Sequence, residues 1–193
     1  MGNKVIYAMY DDKNIRVYQA FNDEIADEAL KKGTFSSKFK MERMTWIKTS
    51  FLWMMARSNW AGKEGQERIL AIDITIEGFR EILNHAILSS YKETIYPSYS
   101  EWKSLLTNSE VRCQWDPDKD LHGNPMSDRA IQLGLRGGMV ERYVNHWITK
   151  ITDITDYVKD TKRLVDYFET DRIRLPETKE FILSEEEKLK LGI

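Results

Sequence analysis

The amino-acid sequence predicts an α+β fold with a mixed, mainly antiparallel sheet and helices packed against it. Two observations lead to this class. Short runs of alternating, β-branched or aromatic residues, such as Arg68–Thr75 (RILAIDIT), are typical of strands. Between these runs lie segments with apolar residues at helical spacing and capping residues at their ends. We expect about six or seven strands, interspersed with helices, in one domain spanning residues 1–193.

The N-terminal part predicts a hairpin followed by a helix. Val5–Tyr10 and Ile15–Phe21 are rich in Val, Ile and Tyr and are joined by a polar turn, as in paired strands. Asn22 or Asp23 then caps a helix that continues to Lys32. Gly33 stands where a helix commonly ends.

The segment Met44–Trp60 is the most apolar and aromatic of the chain and allows two interpretations. As one helix, it would place a mixed aromatic and polar stripe within a sector of roughly 80°. The stripe would contain Trp46, Ser50, Trp53, Arg57 and Trp60. Alternatively, Arg43–Ile47 is a short strand and Thr49 or Ser50 caps a shorter helix, which leaves only Trp53 and Arg57 in the stripe, with Trp60 as an open third member. Such a stripe suits either a cleft for a flat or anionic ligand or an ordinary core.

The remaining elements follow from alternation, capping residues and breakers. Further strands are expected at Arg68–Thr75, Glu110–Trp115, Arg129–Leu135 and Ile148–Ile154. Helices are expected from Ile76 to about Leu88, at Glu101–Leu106, at Met139–Trp147 and from Asp156 to about Thr170. An Asp-Pro-Asp turn should end the strand at Trp115. The charged tail from Pro176 is predicted to be peripheral.

Composition excludes several classes of protein. The formal charge of −2 gives no general basic character for binding nucleic acid. A single cysteine, Cys113, rules out an internal disulfide framework and fits a reducing compartment. No apolar run is long enough to span a bilayer and no signal peptide is recognisable, so we expect a cytoplasmic protein. The histidines show no metal-ligand spacing, and no metal is expected.

Three polar clusters interrupt otherwise apolar strands. Arg16 and Tyr18 share one strand face, Gln114 and Asp116 flank Trp115, and two further polar groups, Arg129 and Gln132, follow on the next predicted strand. Polar groups at strand ends are often ordinary edge residues. Planar donors, amides and a carboxylate on several strands could instead hold a pyrophosphate and orient an amide.

The chain resembles domain-of-unknown-function family 4291. The resemblance is carried by IRVYQAF (Ile15–Phe21), ERMTWIKTSFLWMMARSNWAGKEGQERILAIDIT (Glu42–Thr75), VRCQWDPDKDL (Val111–Leu121) and DRAIQLGLRGGMVERYVNHWI (Asp128–Ile148). These strings cover most of residues 15–155. The chain departs from the family in having Thr49 where Pro is frequent and Cys113 where Val is usual. The family name carries no reaction.

A weaker resemblance points to the ADP-ribosyltransferase superfamily, through a strand bearing Arg16 followed by a helix and Gly33. It implies an ADP-ribosyltransferase-like fold in which Arg16 contacts NAD. Ser50, with Trp46 or Trp53, would serve as the second-strand hydroxyl and the aromatic group. Gln114 or Gln132 would take the last position. No Glu-x-Glu or Gln-x-Glu occurs at a strand end, so Asp116 or Glu110 would have to replace the usual carboxylate.

These observations together predict an NAD-using transferase. Its catalytic groups would be Gln114, Asp116 and Gln132. Its cofactor-binding groups would be Arg16, Tyr18, Trp46, Lys48, Ser50, Trp53, Arg57 and Arg129. The ligand would be a nucleotide-like small molecule, with a nucleic acid or protein as the acceptor and no membrane involved.

Two alternatives remain open. A nucleic-acid or nucleotide-binding module would use cations interleaved with aromatic rings. These residues are Lys38, Lys40, Arg43, Lys48, Arg57 and Lys63, with Phe39, Trp46 and Trp60. A scaffold protein would use the tryptophans only as core.

Overall fold

The computed structural model describes residues 2–193 and confirms the predicted α+β class. The strands, numbered β1 to β9 in chain order, are Tyr7–Ala8, Asn14–Phe21, Thr45–Lys48, Arg68–Thr75, Ala86–Leu88, Val111–Lys119, Pro125–Leu135, Ile148–Asp153 and Lys179–Glu180. The α-helices, α1 to α7, are Asp23–Lys32, Phe51–Ser58, Ile76–Asn84, Tyr99–Asn108, Gly138–Arg142, Thr155–Asp166 and Glu185–Leu191. A π-helical turn spans Tyr143–Trp147, and a 3-10 turn spans Thr170–Arg172.

The main sheet is mixed and mainly antiparallel, as the sequence predicts. Its seven strands lie in the order β5-β6-β7-β3-β2-β4-β8. All neighbouring pairs are antiparallel except β5 and β6, which are parallel. Strands β1 and β9 form a separate two-stranded antiparallel sheet.

Alternation along the strands divides the main sheet into two faces. Ile15, Val17 and Ile72 point into the larger core, to which α1, α3 and α5 contribute their buried residues; we call this side the large-core face. Tyr18 and Ala71 point to the other side, where α2 and α6 pack; we call this side the α2 face. Each fully buried aliphatic side chain contributes about 1.5–3 kcal/mol of transfer free energy.

Local capping explains why α1 begins and ends where the sequence predicts. The side chain of Asn22 accepts a hydrogen bond from the backbone N–H of Ile25, 3.0 Å away. Gly33 closes the helix with a φ of 73°, a left-handed conformation that glycine adopts without strain.

The prediction of one helix over Met44–Trp60 is wrong, and the strand alternative is correct. Trp46 lies in β3, which pairs with β2 and β7. Ser50 then caps α2 by accepting from the N–H of Trp53 at 3.2 Å. Trp60 lies beyond α2 with a φ of 53°, so it does not continue the stripe. Pairing with two neighbouring strands outweighs the helical spacing of the tryptophans.

The predicted Asp-Pro-Asp turn is also wrong. β6 continues through Pro117 to Lys119 and forms a long hairpin with β7, with a register shift near its end. β5 pairs with β6 only as far as Cys113, so β6 is an edge strand at Pro117, where a missing N–H is tolerated. Asp120 makes the turn instead, because its carboxylate accepts from the backbone N–H groups of His122 and Asn124.

Other element boundaries differ from the predictions. The helix expected to reach Leu88 ends at Asn84, because residues 86–88 form β5 beside β6. The helix predicted at Glu101–Leu106 is longer and begins after the cap Ser98. β1 contacts β2 through a bridge between Tyr10 and Ile15 but pairs mainly with β9.

The C-terminal segment packs against the fold and is not simply peripheral. Phe181 and Leu191 are buried in the larger core. Glu187 is only 3% exposed and accepts two hydrogen bonds from Arg80, at 2.9 and 2.8 Å. A charged sequence conceals these contacts because its few apolar residues are widely spaced.

Candidate functional site

A row of polar side chains crosses the α2 face on four adjacent strands. Tyr18 of β2 lies opposite Lys48 of β3, which lies opposite Gln132 of β7, which in turn lies opposite Gln114 of β6. Residues in register on one face of a sheet have neighbouring side chains. Four predicted site residues therefore come together through strand pairing.

Asp116 lies beside this row and is fixed by two amides. Gln114 donates its Nε2 to one carboxylate oxygen at 2.8 Å, and Gln132 donates its Nε2 to the other at 2.5 Å. Gln114 and Asp116 share a face because they are two residues apart on β6. The carboxylate thus has a defined position and keeps lone pairs for a further partner.

Lys48 is a buried cation next to this network. Its side chain is buried, its Nζ donates to the carbonyl of Trp46 at 3.1 Å, and it lies 5.4 Å from the centre of the Trp53 ring. The pKa of Lys48 is lowered from 10.5 to about 7, mainly by burial and also by repulsion from Arg57, against an opposing effect of the nearby Asp116. Near pH 7 this amine exchanges between its neutral and charged forms.

The Trp46 ring extends over β7 at Gly134, a position without a side chain to block it. A Cβ added to Gly134 would lie 2.9 Å from the Trp46 ring and 2.8 Å from the sulfur of Met44. Arg112 lies opposite Gly134 on the next strand. Its Nε is buried and has no hydrogen-bond partner within residues 2–193. The glycine leaves room for the indole of Trp46, which a Cβ at this position would meet too closely.

Replacing Gly134 with alanine should therefore displace the Trp46 ring. We expect a loss of about 1–3 kcal/mol in the free energy of unfolding, since the new methyl group overpacks the site. Urea unfolding and near-ultraviolet circular dichroism measure the two effects. An unchanged aromatic spectrum with unchanged stability would contradict this placement of the indole.

A small cleft opens between β3 and the C-terminal end of α2. It has a volume of about 160 Å³ and is lined in part by Trp46, Lys48, Met54, Arg57 and Gln66; we call it the Lys48 cleft. A space of this size holds roughly one six-membered ring. Arg57 is exposed at its mouth.

The Lys48 cleft carries positive charge that the protein does not neutralise by ion pairing. Within the described part of the chain, none of the ion pairs involves Lys48, Arg57 or Arg112. Exposed cations often lack partners, but Lys48, which lines the cleft, is buried, and burying an unpaired cation costs free energy. An anionic group bound here would offset that cost.

Arg16 and Tyr18 lie on the same face, but Arg16 is already paired with a carboxylate and Tyr18 is covered by an aromatic ring. Arg16 forms a bidentate pair with Asp73, with nitrogen–oxygen distances of 2.8 and 2.9 Å. Tyr18 packs edge-on against Phe51, and burial raises its pKa to about 12. The guanidinium fork that the sequence assigns to pyrophosphate is thus occupied by a carboxylate.

Two further predicted residues lie apart from the Lys48 cleft. Ser50 caps α2, and its hydroxyl donates to Asp118 at 2.7 Å. Arg129 is on β7 with the odd-numbered residues that include Ile131, so it points to the large-core face. Of the predicted residues, Trp46, Lys48 and Arg57 line the Lys48 cleft. Trp53 and the network of Gln114, Asp116 and Gln132 adjoin Lys48 without lining the cleft, and the other four residues lie apart from it.

Sequence reasoning missed Arg112 and the role of Gly134. Arg112 lies two residues before Gln114, so period-two alternation could have placed it on the same face. The glycine gave no such signal, because its function depends on the register of β3 with β7.

Other features and comparisons place limits on the chemistry. No group of His, Cys, Asp and Glu residues suited to a metal ion occurs within residues 2–193. None of the helices formed by these residues has the length and apolar character needed to cross a bilayer.

A search among proteins of curated function finds no match to the chain. The family model described as Domain of unknown function (DUF4291) matches residues 5–182, and the chain therefore belongs to this family.

Proposed function

We propose that the Lys48 cleft binds NAD and that the chain is an ADP-ribosyltransferase-like enzyme, with a fold of that kind. The observation that carries the proposal is a cleft lined by the indole of Trp46 and by Lys48 and Arg57, two cations without ion pairs, with the Trp53 ring centre 5.4 Å from the Lys48 Nζ. Positive charge with flat aromatic surface suits a ligand that has phosphates and a planar ring.

The size of the cleft supports entry by one end of the ligand only. About 160 Å³ accommodates a nicotinamide ring but not a dinucleotide. The ring would lie against Trp46, and the pyrophosphate would remain at the mouth, near the exposed guanidinium of Arg57.

The polar network supports the chemistry of transfer. As the bond between the ribose anomeric carbon and nicotinamide breaks, its electron pair leaves with the nicotinamide, and positive charge develops on the sugar. A carboxylate held in position, such as Asp116, stabilises that charge, and the amides of Gln114 and Gln132 keep it oriented. The acceptor then forms its bond to the anomeric carbon and gives up a proton. A neutral Lys48 amine, with a pKa of about 7, is suited to take it.

Calorimetric titration with NAD and mass analysis of the products test this proposal. Arg57→Gln should weaken binding about tenfold to a hundredfold, because a charged hydrogen bond to phosphate is lost. Arg163→Gln is the matched control, since Arg163 is an exposed arginine of α6 that pairs with Asp160. No heat of binding at millimolar NAD, or equal binding by the two variants, would reject the assignment.

We propose action in the cytoplasm, on the basis of the single free cysteine.

A second candidate is a nucleic-acid-binding module. One observation favours it: a neighbouring cavity of about 470 Å³ is lined by Lys38, Lys40 and Arg43. The Phe39 ring, however, stacks on Phe35 at 4.6 Å and is buried, so it is not open to a base. Affinity for single-stranded RNA that falls steeply with salt would favour this candidate over NAD binding.

A further inference from the structure

A second cationic site lies at the edge of the main sheet that β5 and β6 form. Lys4, Lys92 and Arg129 line a cavity of about 540 Å³ near the place where β5 ends and β6 continues; we call it the Lys4 cavity. Leu88 and Trp115 provide apolar wall. This cavity shares no cation with the Lys48 cleft, but Gln114 and Asp116 of the polar network line it.

The two lysines of the Lys4 cavity are held close together. Lys4 donates its Nζ to the carbonyl of Gly192 at 2.8 Å, and Lys92 donates to the same oxygen at 3.0 Å. Lys4 also lies 5.6 Å from the centre of the Trp115 ring. One shared carbonyl dipole offsets little of the repulsion between two ammonium groups.

No carboxylate pairs with this cluster. None of the ion pairs among residues 2–193 includes Lys4, Lys92 or Arg129. Asp116 is the acidic residue in the lining, and both of its oxygens accept from glutamine amides. Burial raises the pKa of Cys113 to about 12, so its thiol provides no negative charge.

The repulsion within the cluster is large enough to affect protonation. The pKa of Lys4 is lowered from 10.5 to about 8, mainly by burial and also by its contact with Lys92 and the charge of Arg129. A protein that gathers like charges around an open space incurs a cost when the space is empty, and an anion would remove it.

We propose that the Lys4 cavity binds the phosphoryl group of a small phosphorylated molecule. A phosphoryl dianion matches several convergent donors better than a single carboxylate, which would leave more positive charge uncompensated. The hydroxyls of Ser89 and Ser90 are further donors in the lining, and Leu88 with Trp115 gives a surface for the organic part. The volume lies in the usual range for small-molecule sites.

Calorimetric titrations with sulfate, inorganic phosphate and a nucleoside monophosphate test the proposal at low salt. Saturable binding should weaken at least tenfold in Lys92→Gln and in Arg129→Gln, while Lys159→Gln, a change at an exposed lysine of α6, should bind as the unmodified protein does. The monophosphate should bind more tightly than inorganic phosphate. Absence of saturable binding, insensitivity to both substitutions, or equal affinity for the two phosphates would overturn the proposal. Thermal unfolding of each variant verifies that it is folded.

Proton uptake gives a readout that a merely structural cluster would not show. At pH 8, about half of the Lys4 amines are neutral, and a bound anion should favour the charged form. Sulfate does not titrate there, so its binding should be accompanied by uptake of up to about half a proton per site. Calorimetry in buffers of different ionisation enthalpy measures this uptake. Sulfate binding without uptake, or uptake that persists in Lys4→Gln, would contradict the assignment. Failure of NAD to bind would leave these results unaffected, because the variants tested change Lys4, Lys92 and Arg129, and none of these lines the Lys48 cleft or belongs to the network of Gln114 and Asp116.

Discussion

Replacing Lys48 with methionine is expected to weaken NAD binding about tenfold or more and, at the same time, to stabilise the protein. Binding weakens because a hydrogen-bond donor to the ligand is lost. Stability increases because methionine fills the space of an unbranched chain without the cost of a buried amine that has no carboxylate partner. We expect a gain of about 1 kcal/mol in the free energy of unfolding at pH 7. Opposite changes in affinity and stability are typical of a functional group held in an unfavourable environment.

The pH dependence of stability tests the same claim. The folded protein holds Lys48 with a pKa of about 7, against 10.5 for the ordinary side chain, so the unfolded chain binds more protons between these values. The stability of the unmodified protein should therefore rise relative to that of Lys48→Met as the pH increases from 7 towards 10, by about 1 kcal/mol per pH unit. Urea unfolding at pH 7, 8 and 9 measures the difference. Lys4 contributes equally to the pH dependence of both proteins, so its contribution cancels. Parallel stability profiles, or a loss of stability in Lys48→Met, would contradict the account.

Replacing Gln19 with alanine is expected to cost about 3–5 kcal/mol in the free energy of unfolding. β2 and β3 are paired only at Tyr18 and Lys48, and the Gln19 side chain bridges the strands beyond that point. Its amide donates to the Thr45 hydroxyl at 2.7 Å and to the Trp46 carbonyl at 3.1 Å. Losing it leaves buried polar groups without partners, each at a cost of about 1–3 kcal/mol.

Tyr143→Phe is the matched control for Gln19→Ala. The Tyr143 hydroxyl donates to Gln19 Oε1 at 2.7 Å, so this variant loses one bond of the same network and keeps the bridge between the strands. We expect a loss of about 1–2 kcal/mol and an unchanged affinity for NAD. Urea unfolding compares the two variants. A cost below about 1 kcal/mol for Gln19→Ala, or an equal cost for both, would show that Gln19 does not hold β2 to β3.

The elements that sequence reasoning locates well are those with local signals. α1 has a capping asparagine, helical spacing and a terminal glycine within one short stretch. Arg68–Thr75 alternates clearly and forms β4 with the predicted bounds. Trp46 could not be assigned uniquely, because a short apolar run fits a helix or a strand until its partners are known. β5 has the same difficulty, since its pairing with β6 joins distant parts of the chain.

In the candidate site, too, local patterns could be predicted from the sequence and contacts that depend on strand register could not. The common face of Gln114 and Asp116 follows from alternation on one strand. The pairing of Arg16 with Asp73 does not, because it depends on the register between β2 and β4. Sequence patterns identify residues with suitable chemistry, but register decides which of them remain available to a ligand.

The chain carries its own reporters for the most direct test of the Lys48 cleft. It contains six tryptophans, and each indole N–H gives a separate signal in a proton–nitrogen correlation spectrum. As NAD is added, the signals of Trp46 and Trp53 should shift with saturation. The signal of Trp102, whose indole donates to the Leu88 carbonyl at 2.8 Å in the opposite core, should stay in place. If Trp46 and Trp53 remain unshifted at millimolar NAD, the cleft does not bind this nucleotide.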